Sequence, residues 1–138
     1  MKSEYILKTE EDTKNMAKEI AFDIKNKIIF LNGEIGAGKT TFTKYLVEAF
    51  GLKNEVCSPT FALENRYETE NGLIIHFDLY RLKSEEELDM IGFYDTLKEN
   101  ATILIEWADK FNIEKYIKKY NIISFKIEDN NVRAVTIK

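Results

Sequence analysis

The segment Gly33-Glu34-Ile35-Gly36-Ala37-Gly38-Lys39-Thr40 matches G-x-x-x-x-G-K-[ST], the pattern of the phosphate-binding P-loop. The apolar run at 27–32 before it predicts a buried strand, and apolar residues at helical spacing in 41–50 predict a helix after it. A strand, a glycine-rich turn and a helix form the context that the motif needs, because backbone N–H groups of the turn and of the helix N-terminus then surround phosphate oxygens. The sequence therefore predicts nucleotide binding.

Two side chains of the motif have defined roles in P-loop proteins. Lys39 is expected to reach the β- and γ-phosphates, and the hydroxyl of Thr40 is expected to bind Mg²⁺. Gly51 follows the predicted helix directly and is a suitable residue to end it. Because glycine makes up only about 7% of residues in proteins, an ordinary glycine turn rarely matches this pattern by chance in a short chain.

Composition indicates one soluble globular domain. The chain has 138 residues, of which 44% are hydrophobic and 32% charged, so it can form one core and is unlike a disordered chain. A net charge of −4 gives no basic excess for autonomous nucleic-acid binding. Cys57 is the single cysteine, which favours a reducing compartment, the cytoplasm. No apolar run approaches the roughly 18 residues of a membrane span, and no signal peptide is indicated.

The N-terminal segment predicts a short edge strand from Glu4 to Lys8 and then a helix. Thr9 is a suitable N-cap residue, with Asp12 three residues later and acids in the first turn. The helix has one apolar stripe, formed by Met16, Ala17, Ile20, Ala21 and Ile24. A packing helix is the simplest interpretation. The alternative is that the segment from Thr9 to Thr13 lies along the adenine side of a nucleotide.

Residues 56–61 carry few regular signals and contain Pro59, the only proline. P-loop proteins often have a mobile segment here that senses the γ-phosphate, and Thr60 would then contact Mg²⁺ or the attacking water. Composition alone favours a rigid turn fixed by Pro59. Cys57 is expected to pack rather than to react.

Two runs, 63–68 and 73–79, flank Asn71-Gly72 and predict a β-hairpin. Asp78, near the end of the second run, is a candidate for orienting water or for holding Mg²⁺ through water. The alternative is a capping Asp or a salt bridge with Arg81. His76, the only histidine, is expected to pack or to form hydrogen bonds rather than to act as a ligand.

Ser84 followed by Glu87 predicts a capping box and a short helix to about Ile91. The acidic run there is a solvated first turn or, alternatively, a docking surface for a basic partner. Gly92 should end this helix, and 93–99 predicts another turn or two.

The apolar run 101–107 ends in an acid, which is the form of a Walker B strand with Glu106 in place of the usual Asp. A carboxylate at the C-terminal end of a central strand faces the ligand crevice, so Glu106 is predicted to bind Mg²⁺ or to orient water. Trp107, the only tryptophan, could cover the nucleotide, present an exposed contact or pack in the core.

A last hairpin is predicted from 121–128 and 132–138 around Asp129-Asn130-Asn131, because apolar residues alternate in both arms. Arg133 would lie near its turn. Such an arginine is usually a surface residue, but it could reach a phosphate or a base.

Several segments in this order carry a resemblance to a known family: the P-loop, Ser58-Pro59-Thr60-Phe61, the run from His76 to Leu82, Glu87-Leu88 and Ile105-Glu106-Trp107. With them the sequence resembles the TsaE (YjeE) family, small bacterial P-loop ATPases of tRNA threonylcarbamoyladenosine biosynthesis. The resemblance covers nearly the whole chain, although the part after Trp107 is weakly marked and Arg133 has no secure match.

The resemblance implies a single P-loop ATPase domain over 1–138 with a three-layer α/β fold, in which helices flank a mixed central sheet. It also implies ATP or ADP and Mg²⁺ as cofactors. In the family pattern, Asp78 matches an essential acid, Glu106 the Mg²⁺ ligand beside Thr40, and Thr60 a switch-like segment. The positions matched to nucleotide binding are Glu10 and Thr13 near the adenine, Gly33, Glu34, Ile35, Gly36, Ala37, Gly38, Lys39, Thr40 and Thr41 around the phosphates, and Trp107. To these we add Arg133 from its place near the hairpin turn.

The resemblance further implies two partners, TsaB- and TsaD-type proteins, of which the TsaD type transfers the threonylcarbamoyl group to a tRNA adenosine beside the anticodon. The chain would reach tRNA only through this complex and would hydrolyse ATP slowly, gated by its partners. Whether Asp78 or Glu106 orients the water is open, as is whether Arg81 or a partner completes the site.

Two other functions fit the P-loop. One is a small-molecule kinase, which needs an acceptor pocket and a lid rich in arginine; neither is indicated, so no metabolite acceptor is expected. The other is a binding switch in which nucleotide occupancy sets partner affinity and hydrolysis is incidental.

Overall fold

The computed structural model describes residues 2–57 and 63–138, without the side chains of Val56 and Cys57. The predictions for Pro59, Thr60 and the Cys57 side chain lie outside this part. No helix within it is long and apolar enough to cross a membrane.

One mixed sheet contains the strands of the described residues. In chain order they are β1 (Glu4–Leu7), β2 (Ile28–Asn32), β3 (Leu52–Cys57), β4 (Glu64–Thr69), β5 (Gly72–Asp78), β6 (Ala101–Glu106), β7 (Asn121–Ile127) and β8 (Arg133–Ile137). Their spatial order is β1-β8-β7-β2-β6-β5-β4-β3. The four central strands β7, β2, β6 and β5 are parallel, and antiparallel pairs extend the sheet on both sides. The mixed α/β sheet is confirmed.

Helices cover both faces of the sheet. The longer ones are α1 (Glu10–Ile20) and α2 (Lys39–Phe50); the shorter ones are α3 (Glu85–Met90), α4 (Phe93–Thr96) and the 3₁₀ turns Ala108–Lys110, Ile113–Tyr116 and Asp129–Asn131. Apolar residues of α1 and α2 share a core with Leu31 and Leu104. Leu88, Phe93 and Ile113 pack with the alternate strand residues, such as Phe30 and Ile105, in a second core. The result is the three-layer arrangement that the resemblance implied.

Helix α1 begins as predicted. The Oγ1 atom of Thr9 accepts a hydrogen bond from the Asp12 backbone N–H at 3.2 Å, and Asp12 Oδ2 accepts from the backbone N–H groups of Thr9 at 3.1 Å and Lys8 at 2.8 Å. This is a complete capping box. Its predicted apolar stripe is buried, with Ala21 and Ile24 lying just past the end of the helix.

Helix α2 begins at Lys39, two residues earlier than 41–50 predicts, and ends at Phe50. Gly51 follows in a left-handed conformation with φ 85°, and its N–H bonds the Glu48 carbonyl at 3.0 Å. Both predicted hairpins are also present, β4–β5 around Asn71-Gly72 and β7–β8 around 129–131.

Two features differ from the sequence prediction. Ser84 precedes α3 but its side chain makes no capping hydrogen bond, and Glu87 Oε2 accepts instead from the Lys83 backbone N–H at 3.3 Å. The predicted capping box is therefore wrong. Strand β3 was not predicted: residues 52–55 are exposed on both faces of an edge strand, so they show no apolar alternation.

Ion pairs of Arg66 connect β4 to the segment before β6. Arg66 donates two hydrogen bonds to the Glu99 carboxylate, at 2.8 and 2.7 Å, and one to Glu64 at 2.8 Å. Paired parallel bonds of this kind combine charge with fixed geometry.

Candidate functional site

A cavity of about 560 Å³ opens where the parallel strands β2, β5 and β6 end. This is the edge at which ligands bind in open α/β sheets. Its lining includes most of the residues proposed from sequence: Glu10, Thr13, Ile35, Gly36, Gly38, Lys39, Thr40, Thr41, Asp78, Glu106, Trp107 and Arg133. Residues separated by more than 120 positions in the chain thus share one site.

The remaining P-loop residues lie next to this cavity. Gly33 and Glu34 line an adjoining cavity of about 330 Å³, whose wall also includes Lys39 and Trp107. Ala37 is buried within the loop. The two cavities therefore meet at the side chains of Lys39 and Trp107.

Backbone geometry explains two of the glycines. A Cβ on Gly33 would lie 2.7 Å from the Phe125 carbonyl oxygen of β7, so no side chain fits where the loop leaves β2. Gly38 is the N-cap of α2 with φ 108°, a left-handed conformation, and it offers no side chain to the first N–H groups of the helix. These N–H groups have no acceptor within the helix and remain available to an anion.

Lys39 lies between the P-loop and β6. Its side chain is 6% exposed, its Nζ donates to the Gly33 carbonyl at 2.6 Å, and the same Nζ lies 3.6 Å from Glu106 Oε1. The ammonium also lies 4.8 Å from the centre of the Trp107 ring, within the range of a cation–π contact. The lysine is thus held at the end of the cavity beside the Walker B position.

Glu106 is buried and has a partner on each oxygen. His76 Nε2 lies 2.5 Å from Oε2, while Oε1 faces Lys39. Burial acts to raise the pKa of Glu106, but the hydrogen bond from His76 and the charges of His76 and Lys39 outweigh it, so this pKa falls below its ordinary value of 4.5. Glu106 is therefore a carboxylate at neutral pH.

Asp78 lies beside Glu106 on the neighbouring strand and is half-buried. Its Oδ1 accepts a hydrogen bond from the Tyr80 backbone N–H at 3.0 Å, so it does cap a turn, one of the alternatives considered for it. It also lines the cavity, and no ion pair with Arg81 is found in the described part of the chain. Turn capping and cavity lining are thus compatible.

Trp107 has φ 62°, which is uncommon for a bulky residue. Its ring packs partly against the second core, lies 5.0 Å from the Tyr80 ring and borders both cavities. Trp107 therefore both packs against the core and lines the candidate site. Strained backbone of this kind is concentrated at functional sites.

The cavity is also lined by residues of the first and last strands and of α1, and these two strands lie on the side of β2 away from β6 and β5. Glu10 and Thr13 line it, and Glu10 Oε2 accepts from the Tyr45 hydroxyl at 3.3 Å. Arg133 is not free on the surface: its Nη2 donates to the P-loop carbonyl of Gly36 at 3.1 Å and its Nη1 to that of Asn131 at 2.9 Å.

Sequence reasoning did not assign His76, Tyr80 or Asn131 to the site. A signal was available for His76: it lies two residues before Asp78, and alternate residues of a strand face the same side. Asn131 lines the cavity from a turn that has no regular periodicity, so no pattern indicated it.

The donor set fits Mg²⁺ bound together with a nucleotide. No group of three or more His, Cys, Asp or Glu side chains forms a metal cluster in residues 2–57 and 63–138. Mg²⁺ seldom uses such a cage; one or two carboxylates, phosphate oxygens and water usually hold it. Thr40 and Glu106, both lining the cavity, supply a hydroxyl and a buried carboxylate for such a set.

The chain is similar to known proteins both in sequence and in fold. Residues 7–135 match the family model described as Threonylcarbamoyl adenosine biosynthesis protein TsaE. The chain is 44% identical to a protein of Rickettsia typhi over 97% of this chain and 93% of the relative, and 42% identical to one of Aquifex aeolicus over 97% and 94%. Each of these is named tRNA threonylcarbamoyladenosine biosynthesis protein TsaE. The crystal structure of YdiB from Bacillus subtilis superimposes with a TM-score of 0.73 at 28% identity, over 97% of this chain and 82% of that one.

Proposed function

The chain belongs to the TsaE family of tRNA threonylcarbamoyladenosine biosynthesis proteins, and on that premise we propose that it binds ATP with Mg²⁺ and hydrolyses it slowly for this tRNA modification, gated by TsaB- and TsaD-type partners. The observation that carries the proposal is the position of Lys39. Its amine lies between a P-loop carbonyl and the buried carboxylate of Glu106, inside a cavity large enough for a nucleotide.

In this proposal the phosphates lie against the P-loop and the first turn of α2. Lys39 exchanges its bonds to Gly33 and Glu106 for bonds to phosphate oxygens, because its flexible stem allows the ammonium to turn. The nucleoside lies toward Glu10, Thr13 and Arg133, which line the other end of the cavity. Trp107 and Tyr80 border the phosphate end.

The two acids are assigned different roles. Glu106 is buried and is contacted at both oxygens by His76 and Lys39, which suits a fixed ligand that, with Thr40, would hold Mg²⁺. Bound there, the ion supplies charge neutralisation for the phosphates. Asp78 is less buried, and one of its oxygens accepts from Tyr80. No hydrogen-bond partner of its other oxygen is found in residues 2–57 and 63–138, so within this part of the chain that oxygen can accept a proton or hydrogen bond from a water. We therefore propose Asp78 as the group that orients the attacking water.

Gating by partners is supported by the arginines. The sequence contains three: Arg66, Arg81 and Arg133. Arg66 pairs with Glu64 and Glu99, and Arg133 bonds two carbonyls, while Arg81 is exposed. An arginine that stabilises phosphoryl transfer can raise the rate by about 10³–10⁵-fold. A partner that supplies such a group, or that moves Arg81 into place, would explain a slow isolated subunit.

The test is ATP hydrolysis by the purified chain, alone and with TsaB- and TsaD-type proteins, with Lys39→Met as the control that keeps the length of the side chain. We expect the partners to stimulate ATP hydrolysis by the wild-type chain, and we expect no such stimulation of Lys39→Met. Equal hydrolysis by wild type and Lys39→Met would show that the site is assigned wrongly. If the chain bound nucleotide but the partners did not stimulate its ATP hydrolysis, it would be a nucleotide-binding subunit, and the proposed gating by partners would be wrong.

A further inference from the structure

We propose that His76 is a positioning residue that fixes the orientation of the Glu106 carboxylate so that one oxygen faces the P-loop, an inference that rests on the proposed ATPase function. His76 touches neither the P-loop nor Lys39 in the contacts described above. Its hydrogen-bonding contact is with the Glu106 carboxylate, and it would act on the reaction only through that group.

The contact between the two residues follows from the parallel pairing of β5 and β6. His76 lies opposite Leu104 in the ladder, and Glu106 is two residues further along the same strand, so both side chains point to the face that carries α2. The Nε2–Oε2 distance is 2.5 Å, and the side chains are 13% and 7% exposed. A short hydrogen bond to a buried carboxylate is among the stronger kinds in proteins.

The direction of this bond is fixed by chemistry. A carboxylate oxygen only accepts, so the imidazole must carry its proton on Nε2, whichever state the other nitrogen has. His76 therefore presents an N–H to Oε2, and Oε1 is left facing Lys39 at 3.6 Å.

The hydrogen bond from His76 becomes important for the position of Glu106 when Lys39 moves away from this carboxylate. In the proposed function Lys39 turns toward phosphate oxygens, and Glu106 then loses its partner at Oε1. The terminal torsion of a glutamate is broad, so a carboxylate without a fixed partner can rotate until neither oxygen faces the P-loop. The bond from His76 remains and prevents this rotation. Oε1 then stays directed at the phosphate end, where it can serve with Thr40 in holding Mg²⁺.

The matched pair of variants is His76→Leu, which removes the N–H but keeps an apolar side chain, and His76→Gln, whose amide N–H can reach Oε2. The quantity to measure is the affinity for a non-hydrolysable ATP analogue, by calorimetry, with Mg²⁺ and with EDTA. Outer partners of metal ligands typically contribute about 10–100-fold to metal affinity or activity. We expect His76→Leu to lose about tenfold in affinity for the analogue when Mg²⁺ is present and to keep its affinity in EDTA. His76→Gln should recover most of the loss seen with Mg²⁺.

A second measurement needs no ligand. His76 is the only histidine in the sequence, so its imidazole ¹⁵N and N–H signals are unambiguous in an NMR spectrum. We expect an Nε2–H proton signal far downfield, protected from exchange, that disappears in Glu106→Ala. The same signal in wild type and Glu106→Ala would overturn the proposal.

These outcomes separate the two claims. If the wild-type protein binds the analogue with Mg²⁺ and His76→Leu binds it equally well, the role of His76 is wrong and the proposed function stands. If the wild-type protein binds no nucleotide, the proposed function fails and the role of His76 fails with it, even where the NMR signal shows the hydrogen bond.

Discussion

Asp78 and Glu106 lie directly opposite each other in the parallel ladder of β5 and β6, yet their carboxylates have different surroundings. Glu106 contacts His76 and Lys39, while Asp78 accepts a backbone N–H from Tyr80 and lines the cavity. Neighbouring strands thus place two acids side by side in the wall of the cavity that Lys39 also lines. A pair of carboxylates in unlike environments is a common basis for dividing two roles.

This division predicts the phenotype of Asp78→Asn. The amide oxygen can still accept from Tyr80, but the charge that attracts a water proton is lost. We expect nucleotide affinity to change by less than about threefold, while hydrolysis falls by about 10²-fold or more, the usual contribution of a positioned base. Calorimetry and a phosphate-release assay measure the two quantities.

Glu106→Gln is the comparison for that experiment, because it should also weaken Mg²⁺-dependent binding. If Asp78→Asn hydrolysed ATP at the wild-type rate, a group other than Asp78 would have to orient the attacking water. Whether the Asp78→Asn protein still supports tRNA modification by the complex separates an ATP-driven cycle from a binding switch with incidental hydrolysis.

Arg133→Ala should weaken nucleotide binding. The substitution removes the hydrogen bond to Gly36 that ties the last hairpin to the P-loop, and a net contribution of about 1 kcal/mol corresponds to roughly fivefold in affinity. Lys126→Ala, an exposed cation of the same hairpin outside the cavity lining, is the control and should bind normally. Equal affinity in both variants would mean that Arg133 stabilises only the hairpin turn.

Thr9→Ala and Ser84→Ala form a matched pair for stability. Both residues precede a helix, but only Thr9 accepts a capping hydrogen bond with its side chain. We expect Thr9→Ala to lower the free energy of unfolding by about 1 kcal/mol and Ser84→Ala to change it by less than about half of that. Urea unfolding followed by circular dichroism measures both, and similar losses would contradict the structural difference between the two caps.

The ion pair between Glu99 and Arg66 should make the free energy of unfolding depend on pH. Hydrogen bonds from Arg66 hold the pKa of Glu99 below its ordinary value of 4.5, against the effect of burial. A lowered pKa in the folded state means that the ion pair stabilises above the unfolded pKa and that this contribution is lost as pH falls through the folded pKa. The difference in unfolding free energy between wild type and Glu99→Gln should therefore be largest near pH 6–7 and shrink below about pH 4.5.

The control for this prediction is the same substitution in an Arg66→Met background. There the carboxylate has lost its partner, so the effect of Glu99→Gln should change little with pH. A difference between wild type and Glu99→Gln that is equal at pH 3 and pH 7 would show that Arg66 does not lower this pKa.

The elements with a local chemical cause were predictable from the sequence. The P-loop, the capping box at Thr9, Gly51 as a helix end and the Asn71-Gly72 turn each depend on residues within a few positions of one another. Their conformations follow from φ preferences and local hydrogen bonds, which the residue types largely set. Glu106 was expected to face the cavity because it follows an apolar run at the C-terminal end of a central strand, and it does line that cavity.

The features that were not predicted depend on distant partners. Strand β3 is held by its ladder to β4 rather than by an apolar face, so its own residues give no pattern. The capping box predicted at Ser84 fails for a local reason instead, because Glu87 accepts from the backbone N–H of Lys83, the residue before Ser84. The contact between His76 and Glu106 joins residues 30 positions apart, and only the order of β5 and β6 in the sheet brings them together.

The pairing of β1 with β8 has a consequence for how the protein is made. Glu4–Leu7 bonds to a strand that ends at Ile137, so this pair cannot form until that strand has left the ribosome. The P-loop and its parallel neighbours can assemble earlier, but the wall of the cavity that contains Glu10 and Arg133 depends on both ends of the chain. We expect a nascent chain halted before residue 133 to form β2 and β6 without the part of the cavity wall that contains Arg133. If the proposed function holds, nucleotide binding is then a late event of biosynthesis.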